Sequence, residues 1–113
     1  MPIYVTLLKN TTKGAAEIKD FGKAVEEAAG WITQDGGKVL GAYALQGHYD
    51  FLWITEYPDH KGIGKSLLSA AARGLVVTET LEALPVDQFV ALLNSAPMTD
   101  RFAEVKSFPE GVL

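Results

Sequence analysis

Residues 38–57 read KVLGAYALQGHYDFLWITEY, with Gly-His-Tyr-Asp at 47–50 between two runs of strand-forming residues. β-branched and aromatic residues fill both runs, which is typical of β-strands. Gly47 is expected to adopt a positive φ in a tight turn through Gly47 and His48. The stretch therefore predicts a hairpin with strands at about 38–46 and 49–57.

Outside this hairpin, segments with the apolar spacing of a strand alternate with segments that have the apolar spacing of a helix. Pro58 and Asp59 end the hairpin and predict a helix start, and Gly74 predicts the end of that helix. The predicted elements outside the hairpin are a strand at 2–9, a helix from about 20 to 35, a helix from 59 to 73, a strand at 75–84 and a short helix after Pro85.

This order, βαββαβ plus a C-terminal helix, predicts a ferredoxin-like α+β sandwich. In such a sandwich an antiparallel sheet carries both helices on one face. Residues 1–96 are expected to form this domain and residues 97–113 a C-terminal extension. Because two helices cover only one face, the other face, the open face, has to meet water, a ligand or another subunit.

The open face is expected to be aromatic. Alternation along the strands assigns Ile3, Val5, Leu7, Leu52 and Ile54 to the helix side. The ligand-binding residues then expected on the open face are Tyr4, Thr6, Tyr43, Phe51, Trp53 and Thr78. An exposed aromatic patch is typical of an interaction site. The pattern leaves open whether this site is a small-molecule pocket or the interface of a homodimer.

The Gly-His-Tyr-Asp stretch supplies the candidate chemistry. Asp50 is expected to cap a backbone N–H and, with Gly47, to fix the hairpin structurally. His48 and Tyr49 are candidate catalytic residues, because an imidazole beside a phenol can move protons near neutral pH. A solvated turn residue is the alternative interpretation of His48.

Composition excludes several classes of function. The chain has 113 residues, a net charge of −4 and no cysteine. An acidic chain is a poor partner for nucleic acid, and no apolar run reaches the length of a membrane span. The N-terminus lacks the pattern of a signal peptide. We therefore expect a cytoplasmic protein that binds neither nucleic acid nor membrane, with no disulfide.

Other motifs lead to weaker hypotheses. His48 and His60 lack the spacing of a metal site, so no metal and no cofactor are expected. The run GIGKS at 62–66 resembles the end of a phosphate-binding loop, but Asp59 stands where that loop needs glycine. After removal of Met1, Pro2 would carry a free amine that could serve as the base of a tautomerase.

Residues 36–50 carry a resemblance to a known family. The pattern Gly-Gly-Lys-Val, Gly-x-Tyr and Gly-x-Tyr-Asp runs through this stretch. Together with residues 1–14 and 78–84, it resembles the GYD-domain family over about residues 1–95. The resemblance implies a ferredoxin-like domain related to the dimeric α/β-barrel proteins. The wider group includes cofactor-free monooxygenases, haem-degrading enzymes and ligand-sensing domains, so the resemblance selects no reaction.

These observations rank the possible functions. The first hypothesis is a homodimer, or an assembly of dimers, that binds a small apolar or aromatic molecule on the open face. Cofactor-independent acid–base or monooxygenase-type chemistry is possible there. The alternative is a non-catalytic ligand-sensing or assembly module, and a Pro2 tautomerase is a minor alternative.

Overall fold

The chain alternates strands and helices in the predicted order. The structure is a computed structural model that describes residues 1–95. Its elements are β1 (Ile3–Asn10), α1 (Thr12–Ala16), a 3₁₀ turn (Ile18–Asp20), α2 (Phe21–Gln34), β2 (Lys38–Ala44), β3 (Phe51–Glu56), α3 (His60–Arg73), β4 (Val76–Ala83) and α4 (Val86–Ser95). No helix in this part of the chain is long and apolar enough to cross a membrane.

The four strands form one antiparallel sheet in the order β2-β3-β1-β4. This order, with α2 and α3 packed on one side, confirms the predicted ferredoxin-like α+β fold. The strands and α1 to α3 belong to a compact unit, Met1–Ala83, and a second unit that begins at Leu84 contains α4. The predicted extension at 97–113 lies outside the described residues, so the boundary at residue 96 stays a prediction.

Local signals set most helix ends. Asp59 caps α3, because its side chain accepts a hydrogen bond from the backbone N–H of Lys61 at 2.8 Å. Gly74 ends α3 in the left-handed conformation, with φ of 73°. Asp20 precedes α2 as expected, but its side chain makes no capping hydrogen bond.

The short helix α1 was not predicted. Thr11 caps it by accepting a hydrogen bond from the N–H of Gly14 at 3.0 Å. The hydroxyl of Thr11 also donates to the carbonyl of Gly74, and its N–H donates to the carbonyl of Leu75. Gly14 is buried against the same Leu75 carbonyl, so a side chain there would collide with backbone. These contacts fix α1 at the α3–β4 junction, a long-range constraint that periodicity does not reveal.

Tyr57 is the centre of the hydrophobic core. It is 1% exposed, and its ring meets that of Tyr4 edge to face, with centroids 6.2 Å apart. Ile32 from α2 and Ile63 from α3 complete the buried cluster, with Val39, Trp53 and Leu67 packed against it. Leu67 thus faces inward, whereas the next residue, Leu68, is 72% exposed.

The hydroxyl of Tyr57 begins a buried hydrogen-bonded chain. It donates to the Ser66 hydroxyl at 2.8 Å, and Ser66 donates to the Asp35 carboxylate at 2.8 Å. Burial raises the pKa of Tyr57. The chain joins the end of β3, the middle of α3 and the end of α2, so a polar group is buried with its hydrogen bonds satisfied.

Two glycines let the backbone approach the Tyr57 ring. A Cβ on Gly62 would lie 2.6 Å from the Asp35 carbonyl oxygen and 2.7 Å from the Tyr57 ring. A Cβ on Gly37 would also meet this ring, closer than any real contact. The Gly36-Gly37 pair therefore serves packing as well as the predicted helix stop, since Gly36 has φ of 88°.

We predict that Gly62→Ala destabilises the protein by about 1–3 kcal/mol, because the added methyl group has to displace backbone or the buried ring. Gly64→Ala is the matched control in the same helix, since a Cβ at Gly64 meets nothing within 4 Å. The control is expected to stabilise the protein by about 0.5–1 kcal/mol, the usual gain of alanine over glycine in a helix. Urea unfolding of both variants measures the difference, and equal stabilities would contradict the packing account.

Candidate functional site

The open face of the sheet is aliphatic, not aromatic. The strand register pairs Val5 with Ile54 and with Leu81, and Leu7 with Leu52 and with Glu79. The residues on the open face are Ile3, Val5, Leu7, Lys9, Lys38, Gly41, Tyr43, Leu52, Ile54, Glu56, Val77, Glu79, Leu81 and Ala83. Tyr43 is 59% exposed, Val77 58% and Leu81 50%. The middle of this face is therefore apolar, and four charged residues, Lys9, Lys38, Glu56 and Glu79, lie around it.

The predicted faces of β1 and β3 were wrong. Tyr4, Thr6 and Phe51 are 8%, 7% and 9% exposed and lie on the helix side of the sheet. Trp53 pairs with Thr6 and packs against the core, and Thr78 pairs with Leu8 on the same side. Large rings fill the space below the helices better than short aliphatic chains do.

Of the six predicted ligand-binding residues, Tyr43 alone lies on the open face. The register shift between Val39 and Gly41 marks a β-bulge in β2. Past this bulge, Tyr43 pairs with Leu52, so it shares a face with leucine rather than with Trp53. The structure separates Tyr43 from the other five and places those five beside the helices. Their binding role stays a prediction.

The loop between β2 and β3 is longer than predicted. β2 ends at Ala44 and β3 begins at Phe51, so residues 45–50 connect the strands instead of a two-residue turn. Gly47 does not have a positive φ, which corrects the expected turn geometry. The loop is closed by a backbone hydrogen bond from Leu45 N–H to the Asp50 carbonyl at 2.7 Å.

Asp50 joins this loop to β1. Its carboxylate accepts a hydrogen bond from the backbone N–H of Asn10 at 2.7 Å, and its own N–H donates to the Leu8 carbonyl at 2.8 Å. The predicted capping contact therefore exists, although the capped N–H belongs to β1 and not to the hairpin. Lys9 adds a third link by donating to the His48 carbonyl at 2.8 Å.

Beside these links, His48, Tyr49 and Glu79 form a cluster at the edge of the open face. The His48 and Tyr49 rings meet edge to face, with centroids 4.9 Å apart, and the Tyr49 hydroxyl donates to the Glu79 carboxylate. That hydrogen bond raises the pKa of Tyr49, and partial desolvation adds to the shift. A phenol with a raised pKa is a weaker acid, so Tyr49 stays protonated near neutral pH and keeps its hydrogen bond to Glu79. Sequence reasoning did not relate Glu79 to Tyr49, because Glu79 lies in β4 and Tyr49 in the β2–β3 loop, far apart along the chain.

The remaining candidate residues lie apart from this cluster. His60 is exposed in the first turn of α3. The Pro2 carbonyl accepts a hydrogen bond from the N–H of Tyr57 at 3.1 Å, which ties the N-terminus to β3. Within residues 1–95, no group of three or more histidine, aspartate or glutamate side chains is arranged to hold a metal ion.

Comparison with known proteins places the chain in a family. The GYD-domain profile matches residues 4–93. The chain belongs to the GYD-domain family. A protein of Thermus thermophilus named glutamine synthetase and cystathionine beta-lyase binding protein is 34% identical over 95 residues, which is 83% of this chain and 100% of that protein.

Solved structures add support for the fold alone. The crystal structure of FFRP-DM1 superposes with a TM-score of 0.53 and 16% sequence identity, over 74% of this chain and 100% of that one. At this identity the likeness concerns the arrangement of strands and helices. It carries no information about binding.

We predict that Glu79→Gln lowers the pKa of Tyr49 toward its ordinary value, because the amide removes the negative charge that opposes phenol ionisation. NMR titration of ring-labelled tyrosine follows each phenol separately. Glu82→Gln is the matched control on the helix side of β4. It should leave Tyr49 unchanged and lower the pKa of Tyr4, which burial and, next, the charge of Glu82 raise. An unchanged Tyr49 titration in Glu79→Gln would contradict the contact.

Proposed function

We propose that this GYD-domain protein is a non-catalytic protein-binding module that acts as a homodimer. The observation that carries the proposal is the exposed aliphatic surface on the open face. Apolar patches of this extent on soluble domains usually mark interaction sites. A face that pairs with its own copy about a twofold axis buries the same residues twice, and this is the commonest arrangement in homo-oligomers.

The chemistry of the open face favours a second copy as its occupant. Its central residues Val5, Leu52 and Ile54 are aliphatic, and the Glu79 carboxylate already accepts a hydrogen bond from Tyr49. The charged residues around it are two lysines and two glutamates, so the face has no net charge that would select an oppositely charged partner. Two aliphatic sheet faces can instead pack on each other as the two layers of a sandwich.

The name of the Thermus relative supports protein binding over catalysis. That protein is named for binding glutamine synthetase and cystathionine beta-lyase. We propose that this chain likewise binds a metabolic enzyme of this kind. The observed strand faces also favour protein binding, because the aromatic rings expected to form an open-face pocket lie beneath the helices.

Acid–base chemistry at the edge of the open face is the second candidate. The cluster of His48, Tyr49 and Glu79 supports it, since three titratable groups meet beside an apolar surface. Cofactor-independent turnover of a small molecule bound beside this cluster would use His48 or Tyr49 to move a proton. This cluster gives no support to the Pro2 alternative, and the hydrogen bond between Pro2 and Tyr57 involves the Pro2 carbonyl rather than its nitrogen.

We predict that the wild-type protein is a dimer at micromolar concentration and that Leu81→Lys weakens the dimer at least tenfold, because a buried unpaired ammonium is costly. Leu68→Lys is the matched control, since Leu68 is also an exposed leucine but lies on α3. Sedimentation velocity gives the dissociation constants, and native mass spectrometry also detects any retained molecule. A monomeric wild type, or equal dimers in both variants, would refute the interface. A retained small molecule would favour the second candidate.

We further predict saturable binding, at micromolar concentration or tighter, to glutamine synthetase or cystathionine beta-lyase from the same organism as this chain. Isothermal titration calorimetry with each purified enzyme measures it, with serum albumin as an acidic control protein. Loss of binding in Leu81→Lys but not in Leu68→Lys would show that the enzyme needs the intact open face. If neither enzyme binds at about 100 μM, the proposed partner class is wrong.

A further inference from the structure

Two neighbouring cavities lie on the other side of the sheet, beneath the helices. Their volumes are about 100 Å³ and about 70 Å³. Both are lined by Leu8 and Trp53 of the sheet, by Ala28 and Trp31 of α2 and by Ala70 of α3. These shared walls make them adjoining parts of one space. Their combined size is comparable to the roughly 150 Å³ of an engineered apolar cavity that holds benzene.

The walls of this space are apolar and aromatic. Phe21 and Phe51 stack in the larger cavity with ring centroids 4.5 Å apart and nearly parallel planes. Trp31 and Trp53, the only two tryptophans of the chain, line both cavities. Charged side chains, Glu17 and Arg73, line the larger cavity but not the smaller one. An occupant of the smaller cavity therefore has to be neutral, since a charge would find no counterion there.

The buried hydroxyl groups around the smaller cavity differ in whether they have a hydrogen-bond partner. Thr6 is hydrogen-bonded to Thr80 at 3.1 Å, and Ser66 and Tyr57 bond to each other. Thr55 is 3% exposed, lines this cavity, and its hydroxyl has no hydrogen-bond partner in the part of the chain that the structure describes. A buried hydroxyl without a partner costs about 1–3 kcal/mol. Apolar walls with a few free polar groups are the usual composition of a small-molecule site, and Thr55 supplies the buried one here.

We propose that this space binds a small neutral aromatic molecule that carries one hydroxyl group. The ring packs between Trp31 and Trp53, and the hydroxyl forms a hydrogen bond with Thr55 Oγ1. This site is separate from the open face, because successive residues of β1 and β3 point to opposite sides of the sheet. It goes beyond the proposed function and would remain if that function were wrong.

Phenol and toluene, which differ by one hydroxyl, are the probes. Titration of the full chain with each compound is followed by the two tryptophan indole N–H signals in NMR spectra. We expect saturable shifts of both signals and tighter binding of phenol than of toluene. Thr55→Val, which keeps the shape and removes the hydroxyl, should weaken phenol binding about three- to tenfold, the loss expected for one neutral hydrogen bond, and leave toluene unchanged.

Cavity filling provides an independent test. Ala70→Leu should abolish binding of both probes, because Ala70 lines both cavities. Ala72→Leu on the exposed part of α3 is the matched control and should bind like wild type. Thermal unfolding and sedimentation verify that the variants fold and retain the oligomeric state of the wild type. The proposal is overturned if neither probe saturates by about 10 mM, if Thr55→Val keeps the preference for phenol, or if Ala70→Leu binds normally. If neither probe saturates, water would be the partner of Thr55.

Discussion

The contact between Tyr57 and its two glycines determines how the helices sit on the sheet. Gly37 and Gly62 leave room for the ring, and the hydroxyl continues through Ser66 to Asp35. This arrangement fixes the end of α2, the start of β2 and the first turn of α3 around one buried phenol. A hydrophobic residue at position 57 could fill the same volume. It would leave Ser66 without the proton that it accepts, which is costly for a buried group.

Because the Tyr57 ring lies beneath the helices, strand alternation puts Thr55, Trp53 and Phe51 on the same side. The aliphatic residues between them then face outward. Large aromatic side chains hold the helix layer away from the sheet, and the layer contains the two cavities. The interior space and the apolar open face thus both follow from which residues of β3 point toward the helices. A one-residue slip would exchange them and leave Tyr57 outside.

The order of elements could be predicted from the sequence because its signals are local. Helix ends are marked by residues within one turn of the boundary, such as Pro58, Asp59 and Gly74. The spacing of apolar residues, every second residue in a strand and every 3.6 residues in a helix, is visible within about ten residues. The two faces of β1 and β3 could not be assigned in this way. Both faces are apolar, so alternation shows that the sides differ but not which one meets the helices. The decisive contacts, such as Gly62 against Tyr57, join residues that no local pattern relates.

The candidate site was harder to predict for a related reason. The Gly-His-Tyr-Asp motif marks the segment that carries the candidate residues, but its partners lie on other strands: Asn10 for Asp50, and Glu79 for Tyr49. Each contact crosses the sheet, so the motif ties the β2–β3 connection to β1 and β4. A segment held at three points, including the Lys9 contact with His48, is a fixed edge of the open face rather than a free loop. A partner that packs on this face therefore meets a preformed surface and has little chain entropy to remove on binding.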